Sequence, residues 1–114
     1  MTDETGKRPA TLGPATTCYV DCNGVIVKTN SRFEGMTPED FIGLTLADYI
    51  AEPSRSEYLL LLHRAVQFGE VGSYTNTIVS ASGTTVWQNR ISPWRDNGRI
   101  IGAIMVGNQL LETT

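Results

Sequence analysis

The stretch that decides the fold is Trp87-Gln88-Asn89-Arg90-Ile91-Ser92-Pro93-Trp94-Arg95-Asp96-Asn97-Gly98-Arg99-Ile100-Ile101-Gly102. Two β-rich runs flank Arg95-Asp96-Asn97-Gly98. Asn-Gly is the dipeptide of tight hairpins, because such turns need positive φ at neighbouring residues. The first run reaches back to Thr84, which predicts a strand over 84–94. The second reaches Gln109 and is apolar on both faces, so it belongs at the centre of a sheet. Upstream, Ala81-Ser82-Gly83 is a turn, and Val71 to Ser80 alternates loosely as one more strand.

Further back stands the one long helix. Pro53 opens it, Gly69 stops it, and Tyr58, Leu61, Leu62, Ala65 and Phe68 recur at three- and four-residue spacing as a core-facing stripe. Leu59 and Leu60 fall partly outside the stripe, as an apolar shoulder or as the edge of a wide one. Short helices precede it. Asn30 caps 31–34, Thr37-Pro38-Glu39-Asp40 starts a piece that Gly43 closes, and Thr45 starts a third over 46–50. At the front, Thr17 to Val20 and Val25 to Thr29 flank Asp21-Cys22-Asn23-Gly24, a second Asn-Gly hairpin. Residues 1–16 read as a flexible tail or cap, and 17–111 as the domain. Five antiparallel strands with helices segregated to one face give an α+β architecture.

Length and composition fit one domain. The chain has 114 residues, 40% hydrophobic and 18% charged, with net charge -3. That balance argues against a direct nucleic-acid grip, which needs a basic footprint. No apolar run is long enough for membrane insertion by a helix. A single His excludes multi-histidine metal sites, and Cys18 and Cys22 form no C-x-x-C pair, so no metal site is expected. A Cys18–Cys22 disulfide would be tight, and two reduced thiols are favoured. Nothing in the spacing supports Cys22 and His63 as a nucleophile–base pair, so the domain is read as non-catalytic.

The ordered set of features resembles the PAS sensory domain from about Tyr19 to Gln109. It comprises Asp21-Cys22-Asn23-Gly24-Val25-Ile26 leading to Asn30 and Phe33, then Phe41-Ile42-Gly43 with Leu46 and Ile50. Phe68-Gly69-Glu70, Trp87, Ser92-Pro93 and Arg95 to Gly102 complete it. The resemblance implies a five-stranded antiparallel sheet with short helices and one long helix packed on one face. Between Asn30 and Gly43 the chain is a few residues shorter than typical relatives, so the helices that wall the family's pocket are trimmed.

PAS folds serve as ligand sensors, redox or light sensors and dimerisation modules, so the cofactor must be argued from residues. A photoactive flavin would need a reactive Cys in Thr29-Asn30-Ser31-Arg32-Phe33, and none is there. The axial His of haem-binding relatives falls on Tyr58. Although Tyr can ligate ferric haem, Tyr58 reads as a core residue with its hydroxyl at the rim, and His63 as solvated. Both cofactors are argued against, and the identity of any other is left open.

On the 84–94 strand, Trp87, Asn89 and Ile91 share one face, opposite Gln88, Arg90 and Ser92. With Trp87 inward, Asn89 is a buried amide that needs partners. Asn89 leads the candidate ligand-contacting residues, with Tyr74, Asn76, Tyr58 and Trp87 behind it. The opposite assignment turns Arg90 inward and implies an anionic ligand. Candidates for a dimer or partner surface on the outer sheet face are Ile26, Gln88, Arg90 and Trp94. The resemblance implies a cytoplasmic sensory module that binds a small molecule and forms a homodimer. It would pass its state to a covalently linked output domain, with 112–114 the start of the linker. The parent would be a histidine kinase, a cyclic-dinucleotide enzyme or a transcription regulator. The alternative is a ligand-free dimerisation or interaction module.

Overall fold

The computed structural model describes residues 15–31, 36–80 and 83–110. The expected tail over 1–16, the helix over 31–34, the turn at 81–83 and the linker at 112–114 lie wholly or mainly outside these residues. Five strands, β1 (Thr16–Asp21), β2 (Ile26–Thr29), β3 (Gly72–Ser80), β4 (Gly83–Asp96) and β5 (Arg99–Leu110), form one antiparallel sheet in the order β2-β1-β5-β4-β3. The doubly apolar β5 lies at its centre. Thr16, assigned to the tail from sequence, is already a strand residue and pairs with Gly107. Between β2 and β3 run the short helix α1 (Pro38–Phe41), a 3-10 turn (Leu46–Tyr49) and the long helix α2 (Ser54–Phe68).

Local chemistry explains most of these boundaries. Asn97 (φ 53°) and Gly98 (φ 79°) both take positive φ, which places a tight turn between β4 and β5. The first hairpin closes differently, because only Gly24 (φ 83°) is left-handed there. Its turn is held by the Asp21 carboxylate, whose Oδ1 accepts from the backbone N–H of Asn23 (2.9 Å) and of Val25 (3.0 Å). Asp40 Oδ2 accepts from the Thr37 N–H at 2.8 Å, fixing the start of α1 behind Pro38. At the other end of the helical run, Gly69 (φ 70°) caps α2 and donates its N–H to Ala65.

Tyr58, Leu62 and Ala65 of α2 pack on Val20, Ile26, Ile91 and Ala103 in one core. Phe68, expected in that stripe, is 67% exposed. It is the last residue of the helix before the left-handed Gly69, and its ring meets the exposed His63 edge-on at 5.9 Å. Leu59 and Leu60 are exposed.

Ile26 is the main correction. Expected on the outer face, it is 2% exposed and belongs to the core. The β1–β2 register shifts between Tyr19 and Val20, so Ile26 pairs with Val20. Its N–H donates to Leu44, and its carbonyl accepts from Gly43. The segment after α1 therefore covers this sheet edge and seals Ile26 beneath it.

Candidate ligand-binding site

Between the sheet and the short helices lies a cavity of about 90 Å³. Its floor is sheet: Thr16 and Cys18 of β1, Ile26 and Thr29 of β2, Tyr74 and Asn76 of β3, Trp87 and Asn89 of β4, and Met105 of β5. Its roof is Phe41 of α1, Leu46 and Tyr49 of the 3-10 turn, and Ile50. Among the described residues no Asp, Glu, Lys, Arg or His lines it. Phe41 and Tyr49 meet edge-on at 5.6 Å, a contact that braces the roof.

Strand alternation places the polar groups. Asn89 is buried and Arg90 exposed, so the inward choice falls on the amide. Its Nδ2 donates to Asn76 Oδ1 at 2.5 Å. These two amides are diagonal neighbours on paired strands, since Asn76 stands opposite Trp87 and Asn89 opposite Tyr74. Gly107 makes their placement workable. It pairs with Asn89 across β4–β5, and a Cβ there would lie 2.7 Å from Asn89 Oδ1 and 2.9 Å from Thr16 Oγ1. The missing side chain is the space that the amide occupies.

The other polar side chains in the wall are already engaged. Tyr74 Oη donates to Met105 Sδ at 3.6 Å, Trp87 Nε1 to Thr85 Oγ1 at 3.1 Å, and Thr29 Oγ1 to the Thr17 carbonyl at 2.9 Å. Burial pushes the Cys18 thiol up to about 11, with the Thr29 side chain opposing. Burial, followed by the charge of Glu57, pushes the Tyr74 hydroxyl well above the ordinary phenol range. Cys18 is therefore a neutral thiol at physiological pH.

Of the five candidate ligand contacts, Asn89, Tyr74, Asn76 and Trp87 come together in this wall, and Tyr58 does not. Tyr58 is 1% exposed, and its hydroxyl, expected at the rim, is buried with no hydrogen-bond partner among the described residues. It sits in the core beside Gly24, and burial raises its pKa. Among the outer-face candidates, Gln88 and Arg90 are exposed and Trp94 is half-buried against Tyr19, ring centroids 5.1 Å apart. Cys22 is exposed and Cys18 buried, both free.

Sequence reasoning passed over Arg55. Its Nε donates to the carbonyls of Ala47 (3.0 Å) and Ile50 (2.9 Å), tying the end of the 3-10 turn to α2. Arg55 thereby positions Ile50 in the roof. A basic residue at the second position of a helix carries no local signal of this, because the carbonyls it reaches belong to a preceding element.

A sheet in this order, closed on one face by short helices over an apolar hollow, is the architecture of a PAS domain. The chain belongs to the PAS fold family, whose model matches residues 11–113. Among solved structures, the Vibrio cholerae VqmA dimer in the absence of target DNA is similar with TM-score 0.72. The identity is 24%, over 86% of this chain and 47% of that one. VqmA bound to DPO is similar with TM-score 0.70 at 25% identity, over 89% and 54%. A sensory box sensor histidine kinase from Vibrio cholerae shares the fold with TM-score 0.64 at 17% identity, over 87% and 84%. The chain thus spans about half the length of the VqmA chains it matches. No curated protein sequence matches it. No helix among the described residues is long and apolar enough to cross a membrane.

Proposed function

We propose that this domain senses a small molecule held in the cavity between sheet and short helices, and that occupancy biases an attached output domain. The observation that carries this reading is the cavity itself, an apolar hollow with the Asn76–Asn89 pair inside it. Most natural ligand sites combine these two features, apolar walls and a few placed polar groups. VqmA, a similar fold, has been solved bound to DPO, which supports a ligand-taking role here. The roof hangs on short elements that Arg55 ties to α2, so a molecule bound beneath it would act on a wall joined to the long helix. A ligand shifts such a domain only by contacting one arrangement of that wall better than another.

A second reading, pairing of two copies through the outer sheet face, draws on a shallow concavity there. Val71, Ser73, Gln88, Arg90, Val106 and Asn108 border it. Native mass spectrometry of gently purified protein, with thermal shifts against a metabolite library, tests the sensing role. A co-purifying ligand-sized mass or a stabilising metabolite supports it. Empty protein, dimeric and unresponsive to every compound, supports pairing instead.

A further inference from the structure

We propose that the free edge of β3 is a dimer interface. It pairs antiparallel with β3 of a second copy of this chain, about a two-fold axis at Thr75. The two edges of the sheet differ in kind. At one end β2 has four residues, and the chain covers it. Ile26 donates its N–H to Leu44 and accepts from Gly43, and Val25 bridges Thr45. At the other end stands β3, nine residues long, with no strand beyond it among the described residues.

The hydrogen-bond ladder fixes which groups of β3 are free. Asn30 donates its N–H to the Thr17 carbonyl, so in the next pair, Cys18–Thr29, Cys18 turns its backbone groups towards β5. The registers Cys18–Met105, Met105–Ile91 and Ile91–Gly72 carry this parity across the sheet. Gly72, Tyr74 and Asn76 therefore bond to β4, and Ser73, Thr75 and Thr77 point their N–H and C=O groups outward. What this edge offers is a row of alternating donors and acceptors, which another strand satisfies.

Three features select a second copy as that strand. The first is charge. Edge strands are normally guarded by charged residues, proline or a bulge. Gly72-Ser73-Tyr74-Thr75-Asn76-Thr77-Ile78-Val79-Ser80 has no charged residue and no proline, and its register with β4 runs unbroken. Self-pairing thus sets no like charges opposite each other. The antiparallel sense also carries Arg90, which stands opposite Ser73 on β4, to opposite ends of the joint in the two copies.

The second is the side-chain row. Ser73, Thr75 and Thr77 are exposed on the outer face. With Thr75 opposite Thr75 of the partner subunit, Ser73 stands opposite Thr77 of the partner subunit, so hydroxyls meet hydroxyls, a favourable cross-strand match. The third is closure. Because the β2 edge is covered, each copy has one bare edge, and an isologous pair leaves none for a third copy.

Sedimentation velocity of the 114-residue chain, dilute and concentrated, together with amide hydrogen exchange in both conditions, tests this. A monomer–dimer equilibrium is expected. The amides of Ser73, Thr75 and Thr77 should exchange freely in dilute protein and become protected in concentrated protein. Thr75→Pro removes a donor that β4 does not use, and with it both bonds at the axis. Its dimer should dissociate at least about tenfold more readily. If that variant does not melt cooperatively, Thr75→Lys sets like charges together at the axis and should separate the copies, and mixing it with Thr75→Glu should restore pairing. A chain that stays monomeric at every concentration, or one that grows beyond two copies, would overturn the proposal. So would a dimer in which those three amides still exchange freely, which would assign pairing to the outer face. Each of these results leaves the sensing role standing.

Discussion

Gly107→Ala tests the packing that makes the site. A methyl group at this position would stand 2.7 Å from Asn89 Oδ1 and 2.9 Å from Thr16 Oγ1, closer than side-chain carbons approach such atoms. Both obstacles are side-chain ends, so they can swing away, unlike backbone. Overfilling of this kind costs about 1–3 kcal/mol. Moving Asn89 also breaks its bond to Asn76, worth about 0.5–1.5 kcal/mol. Against this, alanine restricts the unfolded chain and returns about 0.4–1 kcal/mol, because Gly107 does not occupy left-handed backbone. The net expectation is a loss of about 1–3 kcal/mol, or roughly 4 °C in Tm for each kcal/mol. Urea unfolding followed by the fluorescence of Trp87 and Trp94 measures it, with the slope unchanged. The Asn89 side-chain amide signal should shift in the folded variant. A Gly107→Ala protein as stable as the parent, with that signal unmoved, would refute the reasoning.

Gly102→Ala should be far worse, because its Cβ would collide with the Val20 carbonyl oxygen, backbone of the neighbouring strand that cannot rotate aside. A loss above about 4 kcal/mol, or no soluble folded protein, is expected in the same urea assay. Arg55→Ala removes two hydrogen bonds from a partly exposed guanidinium and should cost about 1–2 kcal/mol while weakening any ligand that stabilises the domain; thermal shift with and without ligand checks both. Raising pH should destabilise the fold. The Cys18 thiol, at about 11, lies above its ordinary 9.0, and Tyr58 and Tyr74 lie above their ordinary 10.0, so the folded state holds these protons longer. This contribution is complete below about pH 9 and fades as pH climbs toward the folded values, so urea midpoints should fall across that range. Under native conditions a thiol reagent should label Cys22 alone, with Cys18 reacting only on unfolding.

What was legible in the sequence divides along physical lines. Asn97-Gly98, Thr37-Pro38 and Gly69 were readable because positive φ, proline and capping act within a few residues. The inward placement of Asn89 followed from period-two alternation once Trp87 and Ile91 were set inside. Ile26 misled because a single-residue register shift turns a strand's faces over, and the shift depends on how β1 meets β2 and on the segment covering that edge. Phe68 misled because helical spacing continues to the last residue of α2, whereas the last buried residue of that helix is Ala65. The unpartnered Tyr58 hydroxyl and the Arg55 bonds to the roof arise from contacts between elements, and no local pattern announces either.

The central claim is that the cavity, and not the outer sheet face, receives the signal. Nuclear magnetic resonance of the labelled domain, titrated with the metabolite that most raises its Tm, tests it directly. Signals of Cys18, Asn76, Asn89 and Met105 should move together and saturate, while those of Gln88 and Arg90 stay in place at constant protein concentration. Movement confined to Gln88, Arg90 and Trp94, with the cavity signals unchanged, would contradict the account.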